Sequence, residues 1–349
     1  EKMIMESAHA HRKDEHLALA EAEFRRNAPT SSLHDVRIIH RGLPETRVAD
    51  VDLSVMDPYF NFTTPFYIEA MTGGSQKTGK VNAQLATAAK ETGLAMAVGS
   101  QSVALKDPEA IATFKSVREI NPDGFVMANI GAGHTAEHAQ QVVDMIQANA
   151  LEVHINVAQE VVMPEGDREY IWAEELQRII ETVSVPVIIK EVGFGMSQET
   201  IAQIRDLGAQ YVNLGGRSGT NFAVIEDRRN RKMTAAHGYL YDWGQTTAES
   251  LLEAQLVENA PTVFATGGIQ DPLDVMKAQI LGAKAVGVAG HFLHTVLNEG
   301  TDGLITEITR WQNHLAKLYA MVGSTNQADL AKVKTVLSPE LKNYIDQRR

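Results

Sequence analysis

From residue 65 onward, short apolar runs alternate with longer amphipathic stretches. Apolar runs bounded by glycine or polar residues indicate buried strands, and apolar positions three or four residues apart indicate helices. Glycines and capping residues stand at many of the junctions and place the boundaries. The predicted strands cover residues 65–71, 94–98, 125–129, 151–155, 186–189, 210–214, 262–265 and 285–289.

Helices are predicted between these strands, so that a strand–helix unit recurs eight times. Eight units in a row predict an α/β fold, a (β/α)₈ TIM barrel. A doubly wound open sheet is the alternative, but it rarely reaches eight regular units. The predicted helices cover residues 81–91, 108–119, 136–148, 170–183, 198–207, 247–258 and 272–281.

The two ends of the chain lack this repeat. Residues 1–64 are predicted to form an N-terminal extension, and residues 65–349 the barrel with a C-terminal helical tail. The N-terminal extension is predicted to contain a charged helix at 5–24 and short strands at 36–40, 51–53 and 60–62. The tail is predicted to contain helices at 304–321 and 328–337.

The stretch Thr262–Leu293 carries a clear local signal for ligand binding. One strand ends at Gly267-Gly268, a helix opens at Asp271-Pro272, and a second strand ends at Gly290. Bare backbone N–H groups beside a helix N-terminus bind anions. Because the loops after the last two strands of such barrels commonly hold phosphate, this unit predicts a phosphate site.

Polar residues collect where the other predicted strands end, which is where a barrel of this class carries its active site. Their number makes chance a poor explanation. These residues are Thr72, Ser100, Gln101, Asn129, His154, Asn156, Gln159, Glu160, Lys190, Ser218 and Thr220.

Lys190 ends a strand of three apolar residues, so its ammonium group must lose much of its water. Such a lysine needs an anionic partner or a lowered pKa. An ion pair with Glu191 or Asp206 is the structural alternative, but consecutive strand residues face opposite sides, which makes Glu191 a poor partner. A functional role for Lys190 is therefore favoured.

His154 and Asn156 lie on one face of their strand, and Gln159-Glu160 follows on the next turn. Glu160 is the best candidate for a hard cation such as Mg²⁺, which takes one or two carboxylates together with substrate phosphates. His154 suits phosphate binding. Alone it would be interpreted as a buried structural histidine, and only the cluster favours function.

The segment 221–245 is longer than an ordinary loop, which is typical of a lid or a binding element. Glu226 within it is a second candidate carboxylate. The charges from Asp227 to Lys232 are interpreted as a solvated loop.

Composition narrows the function further. The chain of 349 residues has no cysteine, which excludes disulfides, thiolate nucleophiles, iron–sulfur clusters and cysteine-bound zinc. The net charge of −12 argues against non-specific nucleic-acid binding. No apolar run has transmembrane length and the start is too charged for a signal peptide, so a cytoplasmic location is expected.

Seven motifs are spread over nearly the full length of the chain. They are RKDEHL (Arg12–Leu17), MTGG (Met71–Gly74), GSQ (Gly99–Gln101), HINVAQE (His154–Glu160), PVIIKEVGFGMS (Pro186–Ser197), GGRSGTNF (Gly215–Phe222) and TGGIQDPLDVMKAQILGAKAVGVAG (Thr266–Gly290). In these motifs the sequence resembles the type 2, FMN-dependent isopentenyl-diphosphate isomerases. No other flavin barrel known to us combines an N-terminal RKDEH with HxNxxQE.

The resemblance implies that FMN lies across the barrel mouth. Lys190 would face flavin N1 and the C2 carbonyl and stabilise the anionic reduced flavin. Thr220 and the two glycine-bearing strand ends would hold the FMN phosphate. The implied cofactor-binding residues are Met71, Thr72, Gly73, Ser100, Asn129, Lys190, Ser218, Thr220, Gly267, Gly268, Ala289 and Gly290.

The resemblance also implies the substrate site. Arg12 and Lys13 would fold over a diphosphate, from a lid or from a neighbouring subunit, so that the N-terminal extension contributes to the site. Glu160 would hold Mg²⁺ against the diphosphate. The implied substrate-binding residues are Arg12, Lys13, His154, Asn156, Gln159 and Glu226, and the implied catalytic residues are Gln159, Lys190 and His154.

The implied reaction moves a double bond between isopentenyl and dimethylallyl diphosphate, with no net redox change. Reduced FMN would carry the hard step, and NADPH would serve only to reduce it beforehand. Gln159 cannot titrate usefully, so its expected part is orientation. The family resemblance also implies a homotetramer or homo-octamer, with no nucleic-acid or membrane partner.

One position departs from some relatives, which carry an arginine directly after GSQ where this chain has Ser102. That change removes a possible diphosphate contact, and the sequence leaves open whether Lys106 replaces it.

Four other functions fit parts of the pattern. A flavin 2-hydroxy-acid oxidase needs a histidine base after the sixth strand, where this chain has Gly215-Gly216-Arg217, and an IMP-dehydrogenase-like enzyme needs a cysteine. A Schiff-base aldolase could use Lys190, but the HxNxxQE cluster would then lack a purpose. A flavin-binding protein without enzymatic activity stays open.

Overall fold

The computed structural model describes residues 8–27, 30–230 and 236–349. A small antiparallel sheet pairs β1 (Val36–Ile38) with the last strand of the chain, β10 (Thr335–Leu337). The remaining eight strands form a closed parallel barrel in chain order. They are β2 (Phe66–Ile68), β3 (Met96–Ala97), β4 (Val126–Gly131), β5 (Ala150–Ile155), β6 (Val187–Glu191), β7 (Tyr211–Asn213), β8 (Thr262–Ala265) and β9 (Ala285–Val288).

The barrel closes because β2 pairs with both β3 and β9, with Phe66 opposite Val286. This closure confirms the predicted (β/α)₈ barrel and excludes the open sheet. The described helices are α1 (Ala8–Arg26), α2 (Gln76–Thr92), α3 (Pro108–Ile120), α4 (Ala136–Met145), α5 (Val157–Val162), α6 (Ala173–Thr182), α7 (Gln198–Asp206), α8 (Phe222–Arg229), α9 (Thr247–Gln255), α10 (Pro272–Ile280), α11 (Gly290–Met321) and α12 (Pro339–Arg348).

Several helices begin where the sequence places a capping side chain. Ser75 and Thr246 form capping boxes with the third residue of α2 and α9, respectively. Asp271 accepts a hydrogen bond from the amide of Asp274, and a proline follows it at the first helical position of α10. These side chains satisfy backbone donors that no helix can pair internally, so they fix where each helix leaves the barrel.

The barrel interior is layered along its axis. At the N-terminal end of the strands, aromatic and aliphatic side chains form an apolar layer that includes Tyr67, Met127, Ile188 and Phe264. Two residues further along the same strands, the interior positions turn polar. These polar positions are Glu69, Asn129, Glu152, Lys190, Asn213 and Thr266. Because inward-facing positions alternate along a strand, the polar layer lies directly above the apolar one.

The N-terminal extension covers both ends of the barrel. Phe60 and Phe62 pack into the apolar layer and seal it from below. At the opposite end, α1 contacts α8 and α11 and places Arg12, Lys13 and His16 at the barrel mouth. Within the described chain, α1 therefore covers its own barrel.

The short strands predicted at 51–53 and 60–62 are wrong, because both segments are irregular. The helix predicted at 328–337 is also wrong. A 3₁₀ turn at Gln327–Lys332 is followed there by β10, whose pairing with β1 overrides local helix propensity. The mostly polar helix α12 was not predicted. The helix predicted at 304–321 is the second half of α11, which kinks at Gly300 with a φ of 70°.

The interpretation of Asp227–Lys232 as a solvated loop is wrong where the chain is described. Asp227 is buried and accepts hydrogen bonds from the His237 amide and the Tyr241 hydroxyl. Arg229 pairs with Glu226 through a 2.8 Å contact. These partners lie in α8 and in the turn after residue 235, and a local charge pattern does not reveal them. Arg231 and Lys232 fall outside the described residues.

No helix in the described ranges is both long and apolar enough to span a membrane.

Replacing Phe60 by alanine should lower the free energy of unfolding by about 3–5 kcal/mol, because the ring is fully buried among four other aromatic rings. Tyr59→Ala is the matched control, since the Tyr59 side chain is exposed and its loss should cost little. Urea unfolding of both variants measures the difference. Equal costs would show that Phe60 does not seal the barrel.

Candidate active site

A cavity of about 760 Å³ opens at the C-terminal ends of the barrel strands, beneath α1. This volume lies in the range found for pockets that bind organic ligands of cofactor size. Most of the residues predicted from sequence line it, although they come from almost every strand end of the barrel. They are Arg12, Lys13, Met71, Thr72, Ser100, Asn129, His154, Gln159, Glu160, Lys190, Thr220, Gly267, Gly268, Ala289 and Gly290.

Five predicted residues do not line this cavity. Gln101 is fully buried and donates to the Val142 carbonyl oxygen at 3.0 Å, and the other four support the cavity walls. Gly73 packs against the Phe114 ring and has a φ of 145°. Asn156 caps α5, and its side-chain nitrogen donates to the Gln159 side-chain oxygen Oε1 at 2.9 Å. Ser218 has a φ of 121° and lies against Gly268. Glu226 is fully buried behind Gln159.

Lys190 pairs with Glu69 across the barrel interior, with Nζ 3.9 Å from Oε1. Both side chains are almost completely buried. Glu191 is not its partner and instead accepts hydrogen bonds from the amides of Phe194 and Gly195. Removing one member of a buried pair leaves an uncompensated charge and typically costs about 3–5 kcal/mol. The lysine is thus held at the cavity floor by a carboxylate that sequence reasoning did not identify.

Glu69 is itself fixed by three donors. Its Oε2 accepts from the Tyr67 hydroxyl at 3.0 Å and from the Asn213 amide at 2.9 Å, while Oε1 accepts from the Ala70 N–H at 2.7 Å. Gly287 faces this cluster, and a Cβ atom there would lie 2.5 Å from Glu69 Oε2. The glycine therefore makes room for the carboxylate.

A second buried carboxyl group, Glu152, lies in the same layer. Burial, followed by the charge of Glu69, raises the Glu152 pKa well above its usual range, while the charge of Lys190 lowers it. Glu152 Oε2 contacts the Asn129 side-chain nitrogen at 3.0 Å. When Glu152 holds a proton, the combined charge of Glu69, Glu152 and Lys190 is close to zero.

His154 is held neutral. Burial, then the nearby charges of Lys190, Lys13 and His134, lowers its pKa to about 3. Its Nδ1 lies 3.0 Å from the Asn129 side-chain oxygen. A neutral imidazole at the cavity wall offers one donor or one acceptor, depending on its tautomer.

Gln159 is oriented from both ends. Its side-chain nitrogen donates to Glu226 Oε1 at 3.0 Å, and its oxygen accepts from Asn156. Burial would raise the Glu226 pKa, but contacts with His16, Gln159 and Arg229 outweigh burial and lower it to about 2. His16 Nε2 lies 2.8 Å from Glu226 Oε1. This ionised carboxylate ties α1 to α8 and fixes the Gln159 amide.

Two cationic side chains lie under α1, and one of them, Arg12, pairs with Glu165 at 3.5 Å. Burial, then the charge of Arg12, lowers the Lys13 pKa to about 8, and Lys13 has no ion pair within the described part of the chain. The buried Arg12 Nε has no hydrogen-bond partner among the described residues. Cations arranged in this way fit an anionic ligand.

A second anion-binding feature lies where α11 begins. Helix α11 starts at Gly290, and no side chain caps its N-terminus. The glycine turn beside it is so close-packed that a Cβ on Gly267 would lie 2.1 Å from the Gly216 carbonyl oxygen. Uncapped helix N–H groups next to bare backbone form a phosphate-sized cradle.

Glu160 reaches the cavity from α5, and its Oε2 accepts from the Asp167 N–H at 2.6 Å. Among the residues that the structure describes, no group of three or more His, Asp or Glu side chains is arranged to hold a metal. A cation at Glu160 would therefore need ligand oxygens from a substrate, as Mg²⁺ commonly takes.

Sequence reasoning missed Glu69, Glu152 and His16. A usable signal exists for the two glutamates, since each stands two residues from an inward-facing apolar position of its strand. His16 belongs to a charged run whose partners are known only once α1 is packed on α8.

The FMN-dependent dehydrogenase family profile matches residues 122–336. The isopentenyl-diphosphate delta-isomerase of Latilactobacillus sakei strain 23K is 48% identical, over 98% of this chain and 97% of its own length. The protein of the same name from Streptomyces sp. strain CL190 is 44% identical, over 97% of this chain and 94% of its own length. That of Staphylococcus aureus is 42% identical, over 97% and 96%.

Solved structures with this fold include a mandelate oxidase with benzoyl-formic acid, at 17% identity and a TM-score of 0.63, covering 94% of this chain and 96% of that one. A flavocytochrome b2 mutant with benzoylformate gives 19% identity and a TM-score of 0.64, covering 97% and 80%. At such identities the likeness concerns the fold alone.

Binding of inorganic pyrophosphate near pH 9 should take up a proton. The Lys13 pKa of about 8 leaves this amine mostly neutral there, and a bound anion raises the pKa so that the amine becomes protonated. Calorimetry in buffers of different ionisation heat measures the uptake. Lys13→Arg, which stays charged, is the control and should abolish it. An uptake of zero in the unaltered protein would contradict an anion site at Lys13.

Proposed function

This chain belongs to the isopentenyl-diphosphate delta-isomerase family, and we propose that it moves the substrate's double bond with reduced FMN and Mg²⁺ bound in the cavity. The reaction interconverts isopentenyl and dimethylallyl diphosphate. One observation supports this function above the others: a single cavity carries two separate anion-binding features, one at α11 and one under α1, and Lys190 lines the same cavity.

FMN fits the part of the cavity formed by the strand ends. The uncapped start of α11 and the glycine turn suit its phosphate. The ammonium group of Lys190 suits an anionic ring edge, with Met71, Thr72, Ser100 and Asn129 along the same wall and Gly73 and Ser218 supporting the loops. The residues proposed to hold the phosphate are Thr220, Gly267, Gly268, Ala289 and Gly290.

The substrate diphosphate fits under α1. Lys13 has no ion pair among the described residues, Arg12 pairs with Glu165 at 3.5 Å, and His154 lines the same cavity. Glu160 would hold Mg²⁺ together with diphosphate oxygens, since the described chain offers no complete protein cage for a metal. Asn156 and Glu226 act through Gln159, which they position from both ends.

Reduced FMN, when bound, supplies electron density and an ionisable ring nitrogen for moving the double bond. The chain's own part is electrostatic and geometric. Lys190 stabilises negative charge on the ring edge, and His154 with Arg12 and Lys13 fixes the diphosphate end of the substrate. Gln159 orients the substrate through its fixed amide. Helix α1 covers the mouth and excludes water, which would otherwise capture an electron-poor carbon.

The remaining parts of the proposal rest on the family. NADPH is the proposed reductant, used before the catalytic cycle and not consumed in it. A cytoplasmic homotetramer or homo-octamer is proposed for the assembly, and residues 1–64 are proposed as an extension that completes the substrate site. The serine at position 102 lines the cavity together with Lys106, which leaves that lysine placed to supply the missing positive charge.

A flavin-binding protein without isomerase activity is the alternative from another class. It would need the α11 cradle and Lys190 but would have no use for Glu160 or for the Asn156–Gln159–Glu226 chain of hydrogen bonds. A Schiff-base aldolase is less well supported, because Lys190 is paired with Glu69 in the barrel interior.

The proposal is tested by anaerobic incubation with isopentenyl diphosphate, Mg²⁺ and FMN in D₂O, with and without prior reduction by NADPH or dithionite. Proton NMR should show dimethylallyl diphosphate only with reduced flavin, with deuterium in the new methyl group. Flavin that binds and reduces without any turnover would overturn the isomerase function and leave the flavin site standing.

Glu160→Gln should raise the Mg²⁺ concentration needed for half-maximal turnover by at least about tenfold, because one charged ligand is lost. Glu169→Gln is the matched control, since this exposed residue lies in the same loop region and makes the same change of charge. FMN affinity should be unchanged in both variants. An unaltered Mg²⁺ requirement in Glu160→Gln would remove Glu160 from the metal site.

A further inference from the structure

Two buried side chains, Glu152 and Asn129, and the partly buried His154 form a chain from the barrel interior to the cavity wall. Glu152 Oε2 lies 3.0 Å from the Asn129 side-chain nitrogen, and Asn129 Oδ1 lies 3.0 Å from His154 Nδ1. Glu152 is completely buried and Asn129 is 3% exposed. His154 Nε2, at the other end, has no partner among the described residues and belongs to a ring that lines the cavity.

This chain has two self-consistent hydrogen-bonding patterns, because an asparagine amide can be turned over without moving its neighbours. In one, Asn129 donates to an ionised Glu152 and accepts from His154 Nδ1–H, which makes Nε2 an acceptor. In the other, a protonated Glu152 donates to Asn129, Asn129 donates to His154 Nδ1, and the imidazole proton is on Nε2. The protonation of Glu152 thus decides what His154 offers to the cavity.

We propose that Glu152 is a positioning residue whose carboxyl proton, passed on through the orientation of the Asn129 amide, fixes His154 as an Nε2–H donor toward an anion in the cavity. This inference rests on the proposed function only in naming the anion as the substrate diphosphate.

As placed in the structure, the Asn129 amide has the orientation of the first pattern, with its nitrogen toward Glu152 and its oxygen toward His154, and the second pattern is reached by turning the amide over. Three observations favour the second pattern. Burial, the charge of Glu69 and a hydrogen bond with Glu69 raise the Glu152 pKa, against the opposing effects of Lys190 and Asn129. Glu152 Oε2 is the carboxyl oxygen within 3.0 Å of Asn129, so a proton on it can be donated to the turned amide. Glu69 already accepts hydrogen bonds from Tyr67, Asn213 and Ala70, which leaves Asn129 as the less crowded acceptor for that proton.

The surroundings of His154 exclude the third possibility, a charged imidazolium that donates from both nitrogens. Lys190, Lys13 and His134 face the ring, and burial with their charges keeps it neutral. A neutral ring can offer a phosphate oxygen a hydrogen bond only if the proton is on Nε2. The tautomer that Glu152 imposes is therefore the one that an anion requires.

The test reads the tautomer directly, without substrate. Protein grown with histidine labelled with ¹⁵N at Nδ1 alone is studied by solid-state NMR, and His154→Gln identifies the His154 signal by difference. The expected signal is that of an unprotonated, pyridine-type Nδ1. A protonated, pyrrole-type Nδ1 in the unaltered protein would overturn the proposal, whether the Glu152 proton is absent or directed to Glu69.

Two variants test whether Glu152 acts on His154 through Asn129. Glu152→Gln keeps a donor toward Asn129 and should retain the unprotonated Nδ1. Asn129→Asp can only accept from His154, so it should convert Nδ1 to the protonated form. An unprotonated Nδ1 in Asn129→Asp, or a protonated one in Glu152→Gln, would show that Glu152 does not act through Asn129.

Inorganic pyrophosphate affinity supplies a second readout. Glu152→Gln should bind it within about twofold of the unaltered protein, whereas Glu152→Met, which has no donor, should bind about tenfold more weakly, the worth of one hydrogen bond. Equal affinity of the Met and Gln variants would contradict the proposal. Neither measurement depends on turnover, so absence of isomerase activity would leave the result on the tautomer intact.

Discussion

The lysine at the centre of the barrel must be balanced by negative charge, and much of the site is arranged around that requirement. Lys190 cannot reach bulk water from its strand, and Glu69 lies 3.9 Å away to compensate it. Glu69 in turn needs the Tyr67 hydroxyl, the Asn213 amide and the space left by Gly287. Lys190, Asn213 and Gly287 belong to β6, β7 and β9, and Tyr67 with Glu69 to β2 and its end, so the ion pair depends on the pairing of distant strands into one barrel.

Along the barrel axis, the layers that stabilise the fold are separate from the cavity that binds ligand. Apolar side chains fill the N-terminal half of the barrel, where Phe60 and Phe62 seal it, and buried polar side chains fill the next layer. The cavity begins only above that layer, so its cationic groups stand on a rigid floor. Helix α1 then closes the mouth through the contact of His16 with Glu226, which also orients Gln159. Stability and ligand binding thus share Glu226 but little else.

Much of this arrangement follows from the sequence. The apolar runs predicted all eight barrel strands, because a strand buried on both faces needs no more than a local apolar segment. Cavity residues such as Lys190 and Gly267 were found because strand ends in such a barrel converge. Glu69 and Glu152 were missed because the apolar runs were used only to locate the strands. They were not used to find which alternate positions of each strand face the barrel interior. Asp227 and β10 were missed for another reason, since their partners lie far away in the chain or on another element.

The central claim is that Lys190, held by Glu69, makes the cavity floor favour a negatively charged reduced flavin. Its most direct measurement is the absorption spectrum of FMN-loaded protein after anaerobic reduction, recorded as a function of pH for the unaltered protein and for Lys190→Gln. The account predicts the anionic reduced form at neutral pH in the unaltered protein and a shift toward the neutral reduced form in the variant. Identical spectra in the two proteins would contradict it.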